Sequence, residues 1–415
     1  MSSATNIEAL LTADRVEDPQ YATRLVDGLL RAADQSGASD LHFQPTSNGL
    51  QLKWRVDGVL HEIGSVPDEV ASNVVVRLKV LARLLTYQTQ VPQEGRISLE
   101  DDSLDVRIST FPTVFGEKAV ARLLPTSETS LARIGDLGLP PEVRDAVAAA
   151  LMQTSGAILI VGPAGSGKTT TAYACLREIL ACSNLQRSIA SVEDPVEKVI
   201  DQVAQSEVAE SVGFDLTSGL RSLVRQDPDV IFVGEIRDPK TAEIAFQAAL
   251  TGQLVVSTFH APDAFAAISR LIDMGIPPYV LRSAINCVVG QQLVRRLCSC
   301  ASDSQEGKGD SNDTGSNLGI EIKKWRTATG CERCRQSGYS SRQIVAELLD
   351  LSNPEVAAQI RSDADAHQLR SFSKGKGIMS LREQAIELVK DGITSPAEII
   401  RVFGIAASSE VRDRS

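Results

Sequence analysis

The stretch ILIVGPAGSGKTTTAY, residues 158–173, constrains the fold of this 415-residue chain more than any other segment. An apolar run typical of a buried strand ends at Gly162, and a Gly-rich segment then leads into a helix-forming sequence. Gly162, Lys168 and Thr169 fit the spacing of a phosphate-binding loop, in the strand, loop and helix order that the pattern requires. The alternative is a Gly-rich turn that has this spacing by chance.

A loop of this kind binds phosphate through its backbone. We expect the amides of residues 165–169 to surround the phosphates at a helix N-terminus, where the dipole favours anions. The Lys168 ammonium would neutralise the outer phosphates, and the Thr169 hydroxyl would bind Mg²⁺. The predicted nucleotide contacts of the loop are Gly162, Pro163, Ala164, Gly165, Ser166, Gly167, Lys168, Thr169 and Thr170.

Strand-like and helix-like segments alternate from about residue 136 onward. The strand-like segments are AILIVG, SIASVED, VIFVGE and LVVSTFH. This alternation predicts an α/β domain with a parallel sheet and helices on both faces. Ligands of such sheets bind beyond the carboxyl ends of the strands.

Polar side chains follow these strands where each strand should end. Glu193 and Asp194 follow SIASV, Glu235 follows VIFVG, and His260 follows VVSTF. Gly234 stands where phosphate-loop enzymes often keep a magnesium-binding Asp, so we expect Glu193 or Asp194 to bind Mg²⁺ and Glu235 to polarise the attacking water. Alternatively, the glutamates are structural and Asp194 only starts a turn. His260 is either a γ-phosphate sensor or a hydrogen-bonded core histidine.

Several arginines are candidates for phosphate contacts. Arg221 and Arg225 are four residues apart, on one face of a predicted helix, and Arg237 lies two residues after the VIFVGE glutamate. Ordinary surface ion pairs are the alternative. Arg107 and Arg122 lie on strands of a hairpin far from the phosphate loop, as expected of residues that complete a site in trans.

Four of the seven cysteines are clustered at Cys298, Cys300, Cys331 and Cys334. The second pair has the two-residue gap usual in zinc sites, whereas the first has a gap of one. The cluster predicts a four-thiolate zinc site; a three-ligand site or free thiols would also be compatible with this spacing. The remaining cysteines, expected to be buried bystanders, are Cys175, Cys182 and Cys287.

Length and composition indicate several soluble domains. No apolar run reaches the roughly 18 to 20 residues of a membrane span, and we expect a cytoplasmic protein. A net charge of -11 disfavours broad binding of nucleic acid.

The predicted divisions are an α+β domain 1–125, a linker 126–135, an ATPase-like core 136–295, a four-Cys subdomain 296–345 and a C-terminal helical region 346–415. We expect residues 301–330 to open with a mobile loop, and short helices to follow.

Taken together, these motifs resemble those of the secretion ATPase superfamily, and specifically the type II secretion and type IV pilus assembly ATPases. The resemblance covers roughly residues 37–405. It rests on SDLHFQP, WRVDGVL, QEGRI, RISTFPTVFGEKAVARLL, GPAGSGKTTTAY, SVEDPVE, GLRSLVRQDPDVIFVGEIRDPKTAEIAFQAALTG, STFHAPDA, RLIDMG, CERCRQSGY and IMSLREQAIELVKDGITSPAEIIRV.

The resemblance implies a homo-hexameric ATPase with a RecA-like phosphate-loop domain, a preceding PAS-like domain, and Mg-ATP between them. It implies catalytic roles for Lys168, Glu193, Glu235 and His260. The nucleotide-contacting arginines that it implies are Arg107, Arg122, Arg221, Arg225, Arg237, Arg270 and Arg342.

The family's function would be to power pseudopilus or pilus assembly by coupling ATP hydrolysis to domain movement. Its partners would be an inner-membrane platform protein and the cytoplasmic domain of a membrane component, which would hold the ATPase peripherally at the inner membrane. The cysteine cluster favours the assembly and secretion branch over the retraction ATPases. A nucleic-acid translocase and a nucleotide-binding scaffold without enzymatic activity are competing hypotheses.

Overall fold

The computed structural model describes Leu11, Asp18 and residues 20–98, 105–124, 133–183, 186–305, 324–361 and 365–405. The chain divides into two compact units, Met1–Ser130 and Leu131–Ser415. This division falls inside the predicted linker, most of which lies outside the described residues, as does most of the loop predicted within 301–330. No helix in the described ranges combines the length and the apolar character needed to cross a bilayer.

Between residues 20 and 124, the described part of the first unit is an antiparallel sheet of order β3-β2-β1-β6-β5-β4 with two helices. Its strands are β1 Ala38–Thr46, β2 Gly49–Val56, β3 Val59–Val66, β4 Gln93–Ser98, β5 Asp105–Thr113 and β6 Gly116–Leu124, and its helices are α1 Tyr21–Gln35 and α2 Asp68–Leu81. The residues VDGV form the turn that joins β2 to β3, with Asp57 and Gly58 both at positive φ (48° and 79°). Two-residue hairpin turns need this conformation, because it matches the twist of the strands.

The second unit is built on a seven-stranded sheet of order β15-β12-β7-β11-β10-β8-β9. The strands are β7 Gly156–Val161, β8 Ile189–Glu193, β9 Ala204–Glu207, β10 Val230–Ile236, β11 Leu254–Phe259, β12 Ile285–Leu297 and β15 Tyr339–Asp350, with a separate pair β13 Ser302–Gln305 and β14 Lys324–Thr327. The helices are α3 Pro141–Leu151, α4 Lys168–Cys182, α5 Leu216–Leu223, α6 Pro239–Leu250, α7 Ala264–Asp273, α8 Pro278–Ala284, α9 Pro354–Ala357, α10 Ala366–Gly375, α11 Leu381–Lys390 and α12 Pro396–Phe403.

The centre of this sheet is parallel and buried on both faces, as predicted. All six residues of β7 are buried, and so are all six of β11. Strands covered on both faces lose the polar alternation of a half-exposed sheet and become continuously apolar. Separate hydrophobic clusters lie on the two faces, one with Leu159 and Phe246, the other with Ile160 and Leu176. The predicted α/β fold class is confirmed.

The sequence prediction of short helices after residue 330 is wrong for residues 339–350. They form β15, which pairs antiparallel with β12 from Cys287↔Asp350 to Leu297↔Tyr339. The segment IVAELL within β15 is largely buried, and its pairing with a distant strand cannot be inferred from local periodicity.

Two buried carboxylates join the C-terminal helices to this sheet. Glu347 of β15 accepts the backbone N–H of Ala264 at the start of α7 (2.9 Å) and of Leu381 at the start of α11 (3.2 Å). Burial raises the pKa of Glu347 to about 7. Glu398 of α12 accepts hydrogen bonds from both Nε and Nη2 of Arg295 on β12, at 2.9 and 2.7 Å, and also forms an ion pair with Arg401.

We predict that Glu398→Ala destabilises the second unit by about 3–5 kcal/mol, because it leaves the Arg295 guanidinium, only 12% exposed, without its counter-charge. Glu387→Ala is the matched control. The Glu387 pair with Lys390 is about half exposed, so its loss should cost less than about 1 kcal/mol. Chemical denaturation followed by circular dichroism measures both.

The loss of stability caused by Glu398→Ala should also depend on pH. Burial alone would raise the pKa of Glu398, but hydrogen bonds from Arg401 and Arg295 hold it below the usual 4.5. A carboxyl with a lowered pKa stabilises the fold above its unfolded value and loses this contribution as the pH falls. The difference between wild type and Glu398→Ala should therefore shrink below pH 4.5; a difference that stays constant down to pH 3 would contradict the ionic account.

Candidate functional site

The phosphate loop connects β7 to α4 in a conformation that requires glycine. At Gly162, with φ 158°, an added Cβ would lie 2.4 Å from the carbonyl oxygen of Gln291 and from the Ser166 hydroxyl. Gly167, at φ 87°, is the N-cap of α4. The Gln291 amide donates to the carbonyl of Ser166 at 2.8 Å and supports the loop from β12. The backbone amides at this helix start are therefore available to bind an anion.

The Lys168 ammonium lies over this loop, donating to the carbonyls of Gly162 and Pro163 at 2.9 Å each. Burial lowers the pKa of Lys168, whereas the carboxylates of Glu235 and Glu197 act to raise it. A partly desolvated cation at a helix start, with two carboxylates nearby, has the character of a phosphate and metal site.

Glu235, His260, Asp194 and Arg237 converge at the carboxyl ends of three strands, as predicted. His260 Nε2 lies 3.1 Å from Glu235 Oε2. Arg237 forms an ion pair with Glu235 and donates to Asp194 Oδ2 at 2.8 Å. A bulge in the pairing of β10 with β11 falls at Gly234 and directs the following glutamate toward this cluster.

A cavity of about 270 Å³ opens beside the cluster, lined by Glu235, Ile236, Arg237, Phe259, His260 and Arg270. Arg270 donates to the His260 carbonyl at 2.7 Å, and its guanidinium lies 5.5 Å from the centre of the Phe259 ring. Burial and the charge of Lys168 lower the pKa of His260, although Glu235 acts to raise it. The lowered pKa favours the neutral imidazole, which can accept or donate a hydrogen bond.

Glu193, predicted to bind Mg²⁺, is only 2% exposed and already accepts three hydrogen bonds. They come from the Tyr173 hydroxyl at 2.5 Å, the Ser191 hydroxyl at 2.5 Å and the Gln205 amide at 3.0 Å. A buried carboxylate with this many donors is held rigidly.

Sequence reasoning missed Glu197, the last acid of SVEDPVE. Its Oε1 lies 3.2 Å from the Thr169 hydroxyl, the predicted magnesium ligand of the phosphate loop. The available signal was its separation of four residues from Glu193 in an acid-rich loop directly after a strand. The carboxylate that the structure places beside Thr169 is therefore that of Glu197.

Arg107 and Arg122 lie directly opposite each other on β5 and β6 of the first unit. Arg107 donates to Glu94 at 2.5 Å and Arg122 to Asp40 at 2.9 Å. Both guanidiniums remain substantially exposed, with 41% and 66% of the side chain accessible. Acids of the same unit thus orient both arginines at its surface.

The remaining predicted arginines lie elsewhere in the second unit. Arg225 donates to the carbonyl of Arg221 at 2.6 Å, at the C-terminal end of α5. Within the described ranges, no hydrogen bond or ion pair joins these two to Glu235. Arg342 lies on β15, opposite Arg295 of β12.

The four clustered cysteines meet, as predicted. The Sγ atoms of Cys298, Cys300, Cys331 and Cys334 all lie within 4.8 Å of one another. Cys298 and Cys331 are 3.9 Å apart, Cys300 and Cys334 3.8 Å, and Cys331 and Cys334 3.6 Å. A tetrahedral zinc with Zn–S bonds of about 2.3 Å needs Sγ separations of about 3.8 Å. The shortened first gap therefore does not prevent a four-thiolate geometry.

Comparison with known proteins gives a consistent result. The family model described as Type II/IV secretion system protein matches residues 15–401. Type II secretion system ATPase E of Vibrio cholerae is 39% identical over 388 residues, covering 93% of this chain and 76% of that protein. Type IV pilus assembly ATPase TfpB of Acinetobacter baylyi is 35% identical over 408 residues, covering 95% of this chain and 68% of that protein.

Solved structures agree at the level of the fold. The pilus retraction motor PilT with bound ADP superimposes with a TM-score of 0.61 at 23% identity, over 93% of this chain and 98% of that one. The Legionella pneumophila ATPase DotB superimposes with a TM-score of 0.65 at 19% identity, over 90% and 93%. The extent of the family match and the identity to these relatives lead to one conclusion: the chain belongs to the type II/IV secretion system protein family.

Proposed function

We propose that this chain is an ATP-hydrolysing motor that powers assembly of a type II secretion pseudopilus or a type IV pilus. The observation that carries the proposal is the contact of 3.1 Å between Glu235 Oε2 and His260 Nε2, beside a cavity that both residues line. A carboxylate and a neutral imidazole in this position can orient and polarise a water for attack on a phosphate. Membership of a family that includes secretion and pilus ATPases supports the same activity.

The residues around the loop fit Mg-ATP. Thr169 Oγ1 and Glu197 Oε1, 3.2 Å apart, are hard oxygen donors of the type that Mg²⁺ prefers. When bound, Mg²⁺ neutralises charge on the β- and γ-phosphates. The loop amides and Lys168 hold the phosphates. Glu193 fixes the loop that carries Glu197, and Asp194 holds Arg237.

In the reaction, Glu235 accepts a hydrogen bond from the attacking water and aims it at the γ-phosphate. Arg237 and His260 hold the Glu235 carboxylate in place through the contacts described above. Arg270 fixes the backbone of His260 and offers a cation to the phosphate. The further nucleotide-contacting residues that we propose are Arg107, Arg122, Arg221, Arg225 and Arg342.

The proposed assembly is a homo-hexamer on the cytoplasmic side of the inner membrane. It would act on an inner-membrane platform protein and dock on the cytoplasmic domain of a second membrane component. Like the activity, these partners are proposed from the relatives' roles. Nucleic acid is not among them, since the chain carries a net charge of -11.

The cysteine cluster is proposed to bind one zinc ion. Besides the fitting Sγ separations, Cys334 Sγ receives the backbone N–H of Cys331 at 3.1 Å and of Gly338 at 3.2 Å. Such donors stabilise a metal-bound thiolate. Zinc there would hold the residues after β12 close to those before β15.

We predict that Glu235→Gln lowers the kcat for ATP hydrolysis about 100-fold or more, because the amide cannot accept the proton of the water. Phosphate release measures the rate, and a fluorescent ATP analogue verifies that nucleotide still binds. Glu243→Gln, the same change at an exposed position on α6, should leave kcat unchanged. Equal and negligible rates in wild type and Glu235→Gln would favour a scaffold instead.

For the cysteine cluster, elemental analysis of the purified chain should find about one zinc per chain. Cys331→Ser combined with Cys334→Ser should reduce this below half an equivalent and lower the melting temperature, because two of four ligands are lost. The control is Cys182→Ser: the prediction that Cys182 is buried is wrong, since this cysteine is exposed and lies outside the cluster, and the variant should retain zinc. Wild type with less than about half an equivalent would contradict the assignment.

A further inference from the structure

The Tyr173 hydroxyl is a buried junction between the phosphate-loop helix and the loop at residues 194–198. It donates to Glu193 Oε2 at 2.5 Å and accepts the backbone N–H of Glu197 at 3.1 Å and of Lys198 at 3.3 Å. A phenol has one donor and two acceptor positions, so all three are used. Tyr173 is only 4% exposed, and water therefore cannot readily replace a lost partner.

The same face of α4 contacts this loop twice. Thr169 and Tyr173 are four residues apart and lie one above the other on the helix surface. Thr169 meets the carboxylate of Glu197, while Tyr173 meets its backbone amide. The direction of the Glu197 side chain is thus set relative to the helix that carries the phosphate loop.

The other side of the junction is rigid. Glu193 is held by the Ser191 hydroxyl and by the Gln205 amide, and Gln205 Nε2 also donates to the Lys198 carbonyl at 3.0 Å. The Tyr173 ring packs edge to face on Phe232, with centroids 5.8 Å apart. These contacts fix the position of the Tyr173 hydroxyl. The hydroxyl in turn holds the loop through the backbone N–H groups of Glu197 and Lys198.

We propose that Tyr173 is a positioning residue for ATP hydrolysis, which holds the 194–198 loop so that the Glu197 carboxylate faces the Thr169 hydroxyl. This inference rests on the proposed function, in which that oxygen pair binds the magnesium of the nucleotide. In the described hydrogen bonds, Tyr173 contacts neither the amides of the phosphate loop nor Lys168, so it acts on the site through Glu193 and the 194–198 loop.

Tyr173→Phe removes one oxygen and keeps the ring. We expect kcat to fall about 10- to 100-fold, because a carboxylate displaced by about 1 Å no longer aligns the reacting groups. The KM for ATP should rise only as far as the Mg²⁺ contribution to binding is lost, since the amides and Lys168 are unaltered. The affinity for a fluorescent ATP analogue, compared in Mg²⁺ and in EDTA, gives a readout other than turnover. Wild type should bind more tightly with Mg²⁺, and the variant should lose most of this difference.

Tyr339→Phe is the matched control, because it also removes a buried hydroxyl, bonded to the Ser395 hydroxyl at 2.6 Å near α12. It should leave kcat and the Mg²⁺ effect unchanged. Adding Tyr173→Phe to Glu197→Gln should cause no further loss of kcat, since both changes remove the same function, a Glu197 carboxylate held beside Thr169. A multiplicative loss in the double variant would overturn the inference in favour of an independent structural effect.

The outcomes separate this inference from the function on which it rests. A wild type without ATPase activity overturns both. An active wild type with an equally active Tyr173→Phe, and an equal Mg²⁺ effect, overturns only the role of Tyr173. If Tyr173→Phe does not fold, Gln205→Ala loosens the same loop at Lys198 and should give the same loss of kcat and of the Mg²⁺ effect; an unchanged kcat would again overturn the inference.

Discussion

The register of four parallel strands is the constraint on which the site depends. Phe259 lies opposite Val161 and Ile236, and Val233 lies opposite Val192, so β7, β11, β10 and β8 end at one edge. A slip of one residue would turn buried side chains to the wrong face of a sheet that is covered on both faces. Burial of the strands therefore places the phosphate loop and the acidic and histidine side chains together, and no individual polar contact needs to do so.

Much of this arrangement was predictable because it follows from chain-local patterns. The phosphate loop, the strand-end positions of Glu235 and His260, and the hairpin of Arg107 and Arg122 are all encoded in spacing and alternation within a few residues. β12 and β15 were not predicted, since their pairing joins residues separated by tens of positions along the chain. Arg342 became a candidate only through the resemblance, because its place opposite Arg295 depends on that pairing.

The acids after β8 show a different limit of sequence reasoning. Glu193 and Glu197 belong to one short acidic segment, and their composition does not tell which one faces solvent. The difference arises from Tyr173 on α4. Its hydroxyl donates to the buried Glu193 carboxylate, whereas the Glu197 carboxylate lies beside Thr169. Desolvation penalises an unpaired buried carboxylate, so the acid with three donors is the one that can be enclosed. Such a division of roles depends on tertiary contacts.

β12 and β15 pair as a long antiparallel hairpin at the edge of the sheet, and the thiol cluster lies at its loop end, beside the Leu297↔Tyr339 pair. Residues 298 and 338 flank a connection whose ends are already brought together by the ladder and by contacts among four cysteines. Closing a long connection costs only slightly more entropy than closing a short one. The connection between β12 and β15 can thus be lengthened, trimmed or replaced during evolution without shifting the strands that carry the candidate site.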